Sequence, residues 1–197
     1  MIVIIAGCGS NLASVQFALE RLGVSACLAT DPEQIRLADK VILPGVGTAK
    51  HAMQQLHELK LVEVIRNLTQ PVLGICLGMQ LLYEFSAEGN VPCLGMVPNK
   101  VIALPVAPGL TIPHMGWNQM QFQQPNHELC AGINESDDVY FVHSYAAPVD
   151  KYTIAATEYG MNFTAMVQKD NFFGAQFHPE RSGKVGQKIL RNFLQMK

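Results

Sequence analysis

Cys76 is the residue of this sequence that is best placed to act as a nucleophile. It has Gly74 two positions before it and Gly78 two positions after it, which is the spacing of a nucleophile elbow, a sharp turn from strand to helix. At such a turn the side chain stands above the N-terminus of a helix, where backbone N–H groups and the helix dipole stabilise a thiolate or an oxyanion. The alternative is that Cys76 is a small buried apolar residue, as many unpaired cysteines are.

A nucleophilic cysteine needs a base and a group that orients the base, and His178 and Glu180 are the candidates. Pro179 favours an extended backbone at His178, and in an extended segment the side chains of residues i and i+2 point to the same side. We therefore expect Glu180 to orient the imidazole while His178 activates the thiol of Cys76. One alternative is a histidine at a strand end followed by a solvated glutamate. A metal site is less favoured, because no second histidine pair or acidic cluster accompanies these residues.

A glycine-rich loop, Gly45-Val46-Gly47, follows a predicted strand. The loop lacks the Gly-Lys-Ser/Thr ending of a phosphate-binding P-loop. Its backbone N–H groups, together with that of Leu77, are predicted to form an oxyanion hole beside Cys76. A tight turn without a chemical role is the alternative.

Short apolar runs that alternate with helical patterns in the first half of the chain predict an α/β fold. Such folds have a mostly parallel central sheet flanked by helices on both faces, with the active site at the carboxyl ends of the strands. The predicted strands are Met1–Ala6, Val24–Ala29, Lys40–Leu43 and Val72–Ile75. The predicted helices are Leu12–Leu22, Asp31–Ala38, Ala49–Leu68 (as one helix or two) and a helix that leaves the elbow and includes Met79, Leu81, Leu82 and Phe85.

Prolines interrupt the strand-like runs of the second half, which predicts an added sheet of antiparallel strands in that half. The predicted strands are Lys100–Leu104, Asn118–Phe122, Val139–Val142, Thr153–Thr157, Phe163–Lys169 and Phe172–Phe177. An amphipathic helix, Ser182–Met196, follows them. With 197 residues the chain is expected to form a single domain, residues 1–197, around one large core.

Composition argues against several classes of function. The net charge of -2, without a cluster of Lys and Arg, gives no sign of a nucleic-acid surface. The apolar start, Met1–Gly7, has no basic leader and is too short for a secretory signal or a membrane span, so we expect a buried strand there. The cysteines contain no Cys-x-x-Cys pair, which argues against a disulfide framework or a zinc ribbon and for a reducing, cytoplasmic location. They are Cys8, Cys27, Cys76, Cys93 and Cys130.

Five segments together resemble a known enzyme family. Gly74–Gln80 and Phe177–Glu180 resemble the signature of the class I, triad-type glutamine amidotransferases. Within that class, Leu43–Ala49, Pro113–Asn118 and Tyr140–Tyr145 resemble the glutaminase subunits of imidazole glycerol phosphate synthase, an enzyme of histidine biosynthesis. The resemblance covers essentially the whole chain, and the segments follow one another in the family's order.

The resemblance implies a class I glutamine amidotransferase-like fold and the hydrolysis of glutamine to glutamate and ammonia through a thioester on Cys76. His178 would act as base and acid, and Glu180 would orient it. Neither a cofactor nor a metal is implied. The residues that match positions holding the α-amino and α-carboxylate groups of glutamine are Gln80, Glu88, His143, Ser144 and Tyr145.

The same resemblance implies a heterodimer with a (β/α)8-barrel cyclase that receives the ammonia, and the composition described above predicts neither nucleic acid nor membrane as a partner. The residues that match interface positions are Asn11, Met115, Trp117, Tyr140 and Arg181. As alternatives, Trp117 is a core aromatic residue and Met115 fills a gap in the core. Because glycine on both sides of Val46 permits a peptide flip, we hypothesise that an oxyanion donor turns toward the site only when the liganded cyclase is bound.

One departure from the family and two rival functions stay open from the sequence. Family members often carry an acidic residue near the end of the first strand, where this chain has the segment Ile5–Asn11. The nearest rival is the glutaminase subunit of another class I amidotransferase, which the segment Pro113–Asn118 disfavours. The other rival is a binding or redox-sensing module with Cys76 as its sensor thiol, which would have no use for His178 and Glu180.

Overall fold

A computed structural model describes residues 1–7 and 11–196 of the chain. The turn in which the sequence departs from the family includes residues 8–10, which lie outside the described residues. Within the described residues the helices are α1 (Leu12–Glu20), α2 (Pro32–Arg36), α3 (Ala49–Glu58), α4 (Val62–Arg66), α5 (Leu77–Leu81) and α6 (Gly183–Gln195). The strands are β1 (Ile2–Ile5), β2 (Ala26–Ala29), β3 (Lys40–Gly45), β4 (Val72–Cys76), β5 (Tyr83–Ser86), β6 (Val91–Pro92), β7 (Val97–Ala103), β8 (His114–Gln119), β9 (Gln121–Phe122), β10 (Asp138–His143), β11 (Tyr145–Ala146), β12 (Thr153–Glu158), β13 (Asn162–Lys169) and β14 (Phe172–Ala175).

An eight-stranded sheet with the order β2-β1-β3-β4-β14-β13-β12-β9 forms the centre of the fold. The first five of these strands run parallel to one another. The other three, all from the second half of the chain, extend the sheet by antiparallel pairing. The predicted fold class, a mostly parallel sheet with helices and added antiparallel strands, is confirmed.

Buried apolar side chains alternate between the two faces of the central sheet. In β1, Val3 and Ile5 belong to one core and Ile4 belongs to the other, as the period of two in a strand requires. Met53 of α3 packs into the first core and Phe193 of α6 into the second. Because helices cover both faces, the parallel strands consist of nearly continuous apolar runs.

The helical predictions for residues 49–68 and for the elbow have different outcomes. Residues 49–68 form two helices, because Lys60 adopts a left-handed φ of 58° between α3 and α4. The helix that leaves the elbow is only five residues long. Its predicted extension to Phe85 is wrong, since Phe85 lies in β5, where pairing with β6 and β7 overrides the local helical spacing.

The second half of the chain differs from the single antiparallel addition that its sequence predicts. Two further sheets form, one of β10 and β8 and one in the order β11-β7-β5-β6. The predicted strand Asn118–Phe122 is interrupted at Met120, so that β8 pairs with β10 while β9 joins the edge of the central sheet. The segment that begins at Phe172 was expected to be antiparallel, but β14 runs parallel to β4. This direction places the carboxyl end of β14 beside the elbow.

Candidate active site

The carboxyl ends of three neighbouring parallel strands, β3, β4 and β14, meet at Cys76. Gly45 pairs with Cys76, and Ala175 pairs with Ile75. β3 continues two residues beyond its predicted end because Pro44 and Gly45 extend this pairing. The register therefore brings the loop after β3 and the chain after β14 to the two sides of Cys76.

Cys76 has the backbone of a nucleophile elbow, with a φ of 52° and a ψ of -110°. A residue other than glycine rarely adopts a positive φ, and such strain is concentrated at functional sites. A Cβ atom at Gly74 would lie 2.7 Å from backbone atoms of Gly78 and Met79, and a Cβ at Gly78 would lie 1.7 Å from the carbonyl oxygen of Leu43. The two glycines of the motif thus allow α5 to begin directly against β3 and β4.

His178 and Glu180 form a buried pair beside the elbow. The distance from Nδ1 of His178 to Oε1 of Glu180 is 2.7 Å, and the two side chains are 4% and 0% exposed. His178 has the extended backbone that Pro179 predicts, but Glu180 lies in a 3-10 turn, Pro179–Arg181, which brings the two side chains together. The alternative of a solvated glutamate is wrong.

Several groups hold this pair in a way that the sequence does not predict, since Asn11 and Tyr140 are predicted only as interface residues and Ser182 only as the start of a helix. Oε1 of Glu180 also accepts a hydrogen bond from Nδ2 of Asn11 at 2.5 Å. The backbone N–H of His178 donates to the carbonyl of Tyr140 at 2.9 Å. The hydroxyl of Ser182 accepts from the N–H of Tyr140 and donates to the carbonyl of His178. These bonds hold His178 through its backbone and, by way of Glu180, through its ring. The sequence around Asn11 and Ser182 contains no local pattern that predicts them.

The protonation of His178 follows from its neighbours. Burial by itself lowers the pKa of His178, but the interactions with Cys76 and Glu180 outweigh burial and raise the pKa to about 10. The ring is therefore protonated at neutral pH, and a neighbouring imidazolium favours the thiolate form of a cysteine. Within residues 1–7 and 11–196, Nε2 of His178 has no hydrogen-bond partner of ordinary geometry, so it is available to exchange a proton with a bound reactant.

A pocket of about 330 Å³ opens in front of Cys76 and His178. All of the predicted catalytic, oxyanion and glutamine-binding residues except Gly45 and Glu180 line this pocket. Gly45 ends a strand, and Glu180 lies behind His178. The carboxylate of Glu88 accepts a hydrogen bond from the N–H of Ala49, the first residue of α3, at 2.8 Å. The residues that line the pocket are Val46, Gly47, Cys76, Leu77, Gln80, Glu88, Pro113, Val142, His143, Ser144, Tyr145 and His178.

The two glycines of the predicted oxyanion loop serve different purposes. Gly47 has a φ of 102°, which side chains other than hydrogen rarely allow, and no atom of the described residues lies within 4 Å of the position of a Cβ. Gly45 is needed because a Cβ there would lie 2.8 Å from the backbone nitrogen of Gly78. Of the two glycines, Gly47 thus has open space around its Cβ position next to Val46, whereas Gly45 is fixed by its close approach to α5.

Two histidines, His143 at the pocket and His114 behind it, are joined by hydrogen bonds whose donors and acceptors can be assigned. Nδ1 of His143 donates to the carbonyl of Tyr145 at 2.9 Å, and Nε2 of His143 therefore accepts from Nδ1 of His114 at 3.0 Å. Burial lowers the pKa of His114 to about 4 and that of His143 to about 3. Both rings are thus neutral at pH 7, which agrees with one proton on each. The ring of His114 stacks on Tyr159 at a centroid distance of 3.9 Å.

We predict that the protein loses stability in mild acid, because burial lowers the pKa values of His114 and His143. Their pKa values are below the ordinary 6.5, so as the pH falls from 6.5 toward 4 and 3 the unfolded chain binds protons that the folded chain does not. Stability is therefore present above pH 6.5 and is lost as the pH falls. In His114→Asn, an amide takes the place of the titrating ring, and the decrease in unfolding free energy between pH 7 and pH 4.5 should be about 2 kcal/mol smaller than in the unaltered chain.

Denaturant unfolding at the two pH values measures this difference. His57→Asn, on the exposed side of α3, is the matched control and should behave like the unaltered chain. An equal acid-induced decrease in His114→Asn and in the unaltered chain would contradict the assignment.

The residues predicted for the partner interface lie on an exposed face next to the pair of His178 and Glu180. Met115 and Trp117 are 63% and 58% exposed, so the alternatives that place them in the core are wrong. Trp117 meets Tyr140 edge-on at 5.7 Å, and the guanidinium of Arg181 lies over the ring of Tyr140 at 5.2 Å. Asn11 differs from the other predicted interface residues, because its side-chain amide donates a hydrogen bond to the buried carboxylate of Glu180.

Neither a metal cluster nor a membrane span occurs in the part of the chain that the structure describes. Among residues 1–7 and 11–196, no group of three or more His, Cys, Asp or Glu side chains is arranged to hold a metal ion. In the same residues, no helix has the length and apolar character needed to cross a membrane.

Known proteins are similar in sequence over almost the whole chain. A family model described as "Glutamine amidotransferase class-I" matches residues 8–196. The "Imidazole glycerol phosphate synthase subunit HisH" of Idiomarina loihiensis is 55% identical over 188 residues, which cover 95% of this chain and 93% of that protein. The protein of the same name from Haemophilus influenzae is 52% identical over 193 residues, which cover 98% of this chain and 96% of the relative.

Solved structures share the arrangement of sheet and helices. A crystal structure of a glutamine amidotransferase has a TM-score of 0.75 at 19% identity, covering 98% of this chain and 97% of its own. The structure of PurLQS from Thermotoga maritima has a TM-score of 0.70 at 17% identity, covering 98% of this chain and 96% of the matched chain. At such low identity, this likeness concerns the fold alone.

Proposed function

This chain belongs to the class-I glutamine amidotransferase family, and from that premise we propose that it is the glutaminase subunit of imidazole glycerol phosphate synthase in histidine biosynthesis. Two relatives that carry this name are 55% and 52% identical over nearly their full length. The observation that carries the chemistry is the buried pair of His178 and Glu180 beside Cys76, at the end of a pocket.

In the proposed first step, the sulfur of Cys76 attacks the side-chain amide carbon of glutamine. The C–N bond breaks, His178 gives its proton from Nε2 to the leaving nitrogen, and ammonia departs from a γ-glutamyl thioester. The raised pKa of His178 suits this role, since it places the proton on the ring before the reaction begins. Glu180 stabilises the imidazolium through the 2.7 Å bond to Nδ1.

In the second step, water attacks the thioester carbon and gives a proton to the now neutral His178. The C–S bond breaks, the sulfur of Cys76 leaves as thiolate, and glutamate is released. In both steps a negative charge develops on the carbonyl oxygen, and donors from Val46 or Gly47 together with Leu77 are proposed to stabilise it. These residues line the pocket next to Cys76.

The substrate is proposed to be held at the other end of the pocket. Glu88 is the acidic residue that lines it and is suited to the α-ammonium group of glutamine. Gln80, His143, Ser144 and Tyr145 line the same end of the pocket and are proposed to complete the site for the α-amino and α-carboxylate groups. Because the amide N–H groups of Gln80 are engaged by Tyr145 and Gln176, its Oε1 atom is the one left for substrate, and this acceptor suits the α-ammonium group.

The partner is proposed to be a cyclase with a (β/α)8 barrel, which converts the ammonia and a ribulosyl aminoimidazole carboxamide nucleotide to imidazole glycerol phosphate and an aminoimidazole carboxamide ribotide. The exposed face of Met115, Trp117, Tyr140 and Arg181 is proposed as its binding surface. An exposed tryptophan and methionine beside an arginine have the composition of an interface centre. Residues 1–197 are proposed to act as one catalytic domain.

A cytoplasmic location is part of the same proposal. Within the described residues the cysteines are unpaired, as is usual in a reducing compartment. They are Cys27, Cys76, Cys93 and Cys130.

A glutaminase assay of the chain with and without the cyclase and its nucleotide ligand tests the proposal. We expect low turnover for the chain alone and an increase of about 10²–10³-fold with the liganded cyclase, the effect of completing an oxyanion hole. This expectation rests on the hypothesis that the peptide next to Val46 flips, which is supported by a glycine with a φ of 102° and open surroundings at position 47. Cys76→Ala is the control for chemistry and should lose both turnover and labelling by a glutamine-mimicking electrophile.

Two outcomes would contradict the proposal in different ways. High steady-state turnover of the chain alone would reject the dependence on the partner. Stimulation by the synthase of another pathway, but not by the cyclase, would indicate the glutaminase subunit of another class I amidotransferase.

A further inference from the structure

The side chain of Gln176 contacts the sulfur of Cys76. Gln176 follows the last residue of β14 and is 0% exposed. Its Nε2 atom lies 3.8 Å from Sγ of Cys76, within hydrogen-bonding distance for sulfur. The residue was not identified from the sequence, and neither proposed reaction step uses it.

The orientation of the Gln176 amide is determined by a main-chain carbonyl. The carbonyl of Tyr145 can only accept, so the group of Gln80 that lies 2.8 Å from it must be the NH2 group. The same NH2 group lies 3.0 Å from Gln176, which must therefore present Oε1 to Gln80. The NH2 group of Gln176 is left to face Cys76. Flipping the Gln176 amide alone would oppose two NH2 groups, and flipping both amides would leave the Gln80 oxygen against the Tyr145 carbonyl.

A buried N–H donor next to sulfur favours the thiolate over the thiol. A thiolate is a strong acceptor and a thiol is a weak one, so the hydrogen bond is stronger in the charged form. The carbonyl of Val142, 3.8 Å from Sγ, opposes this effect because it accepts a hydrogen bond only from the thiol. The titratable groups that face the sulfur across the pocket are His178, His143, Tyr145 and Glu88, with Glu180 behind His178.

We propose that Gln176 is a further catalytic residue, whose N–H donates to Sγ of Cys76 and favours the reactive thiolate. Gln80 and the carbonyl of Tyr145 are positioning groups that hold the Gln176 amide in the required orientation. A glutamine is suited to the task because its amide supports the thiolate without competing for the proton on His178. The importance of this contact for turnover rests on the proposed glutaminase function, whereas the contact itself does not.

The test is the pH dependence of alkylation of Cys76 by iodoacetamide in the full chain, with the modified peptide located by mass spectrometry. Localisation is needed because Cys27 is exposed. Gln176→Met keeps the length of the side chain but removes the donor. We expect the pH of half-maximal alkylation to rise by about one unit, and the rate at pH values well below this midpoint to fall about tenfold.

Two variants complete the experiment. Gln124→Met removes a glutamine whose amide bonds to the carbonyl of Thr153, far along the chain from the elbow, and should leave the profile unchanged. Gln176→Glu keeps shape and places a carboxyl at the sulfur, so its half-maximal pH should rise at least as far as that of Gln176→Met. If Gln176→Met does not fold, the alkylation profile of Gln176→Glu tests the role of Gln176.

A profile of either folded variant that superimposes on that of the unaltered chain would overturn the role of Gln176. Because alkylation requires no glutamine, this result is independent of the glutaminase assay. A shifted profile in a chain without glutaminase activity would support the contact and reject the proposed function. In an active enzyme, we also expect kcat to fall about tenfold with little change in KM.

Discussion

His178→Ala is expected to lower glutaminase turnover, measured with the liganded cyclase, by about 10⁴-fold or more. In the unaltered chain this ring serves both proton transfers, first to the leaving nitrogen and then from water. Because its pKa is about 10, the ring carries the proton for the first transfer at neutral pH. Alanine removes that proton and the imidazolium beside Cys76, so both formation and hydrolysis of the thioester should be slowed.

Fixed-time assays of glutamate and ammonia production, together with trapping of the thioester, measure the effect of His178→Ala. His57→Ala, on an exposed position of α3, is the matched control and should retain full turnover. Glu180→Gln should give an intermediate loss, because the ring remains but its imidazolium is no longer paired with a carboxylate. Turnover of His178→Ala equal to that of the control would reject the role assigned to the ring.

Gly78→Ala is expected to destabilise the fold by about 4 kcal/mol or more, or to prevent folding. A Cβ at this position would lie 1.7 Å from the carbonyl oxygen of Leu43. The obstacle is the backbone of β3, not the flexible end of a side chain. Relief therefore requires α5 to move away from the sheet, and this movement would also displace Cys76.

Denaturant unfolding compares Gly78→Ala with Gly95→Ala. Gly95 has a positive φ of 69°, but none of the residues that the structure describes comes within 4 Å of its Cβ position, so alanine there costs only the conformational strain, about 1 kcal/mol. The comparison separates strain from steric overlap. Similar small losses in the two variants would show that the approach of α5 to β3 is not as close as the structure places it.

The chemistry-bearing motifs could be predicted from the sequence because each is determined locally. The glycines around Cys76 define a turn, and Pro179 fixes the backbone that precedes Glu180. Alternation of apolar runs and helices likewise predicts the parallel sheet. The pairing of His178 with Glu180 was anticipated, although a 3-10 turn and not an extended strand brings their side chains together.

The parts that could not be predicted depend on partners distant in the chain. Phe85 has helical spacing but is drawn into β5 by pairing with β6 and β7. Gln176 resembles any polar residue near a strand end until the parallel pairing of β14 with β4 sets it beside Cys76. Asn11 and Ser182 gain their roles in the same way, through bonds to groups more than one element away.

The pairing of β3, β4 and β14 also determines how this protein can change in length during evolution. Each of these strands is interior, with a neighbour on both sides. One residue inserted within any of them would turn its last side chain to the opposite face or break two ladders of hydrogen bonds at once. Lineages of this protein are therefore free to lengthen surface loops, while the three strands that end at Cys76 must keep a constant residue count.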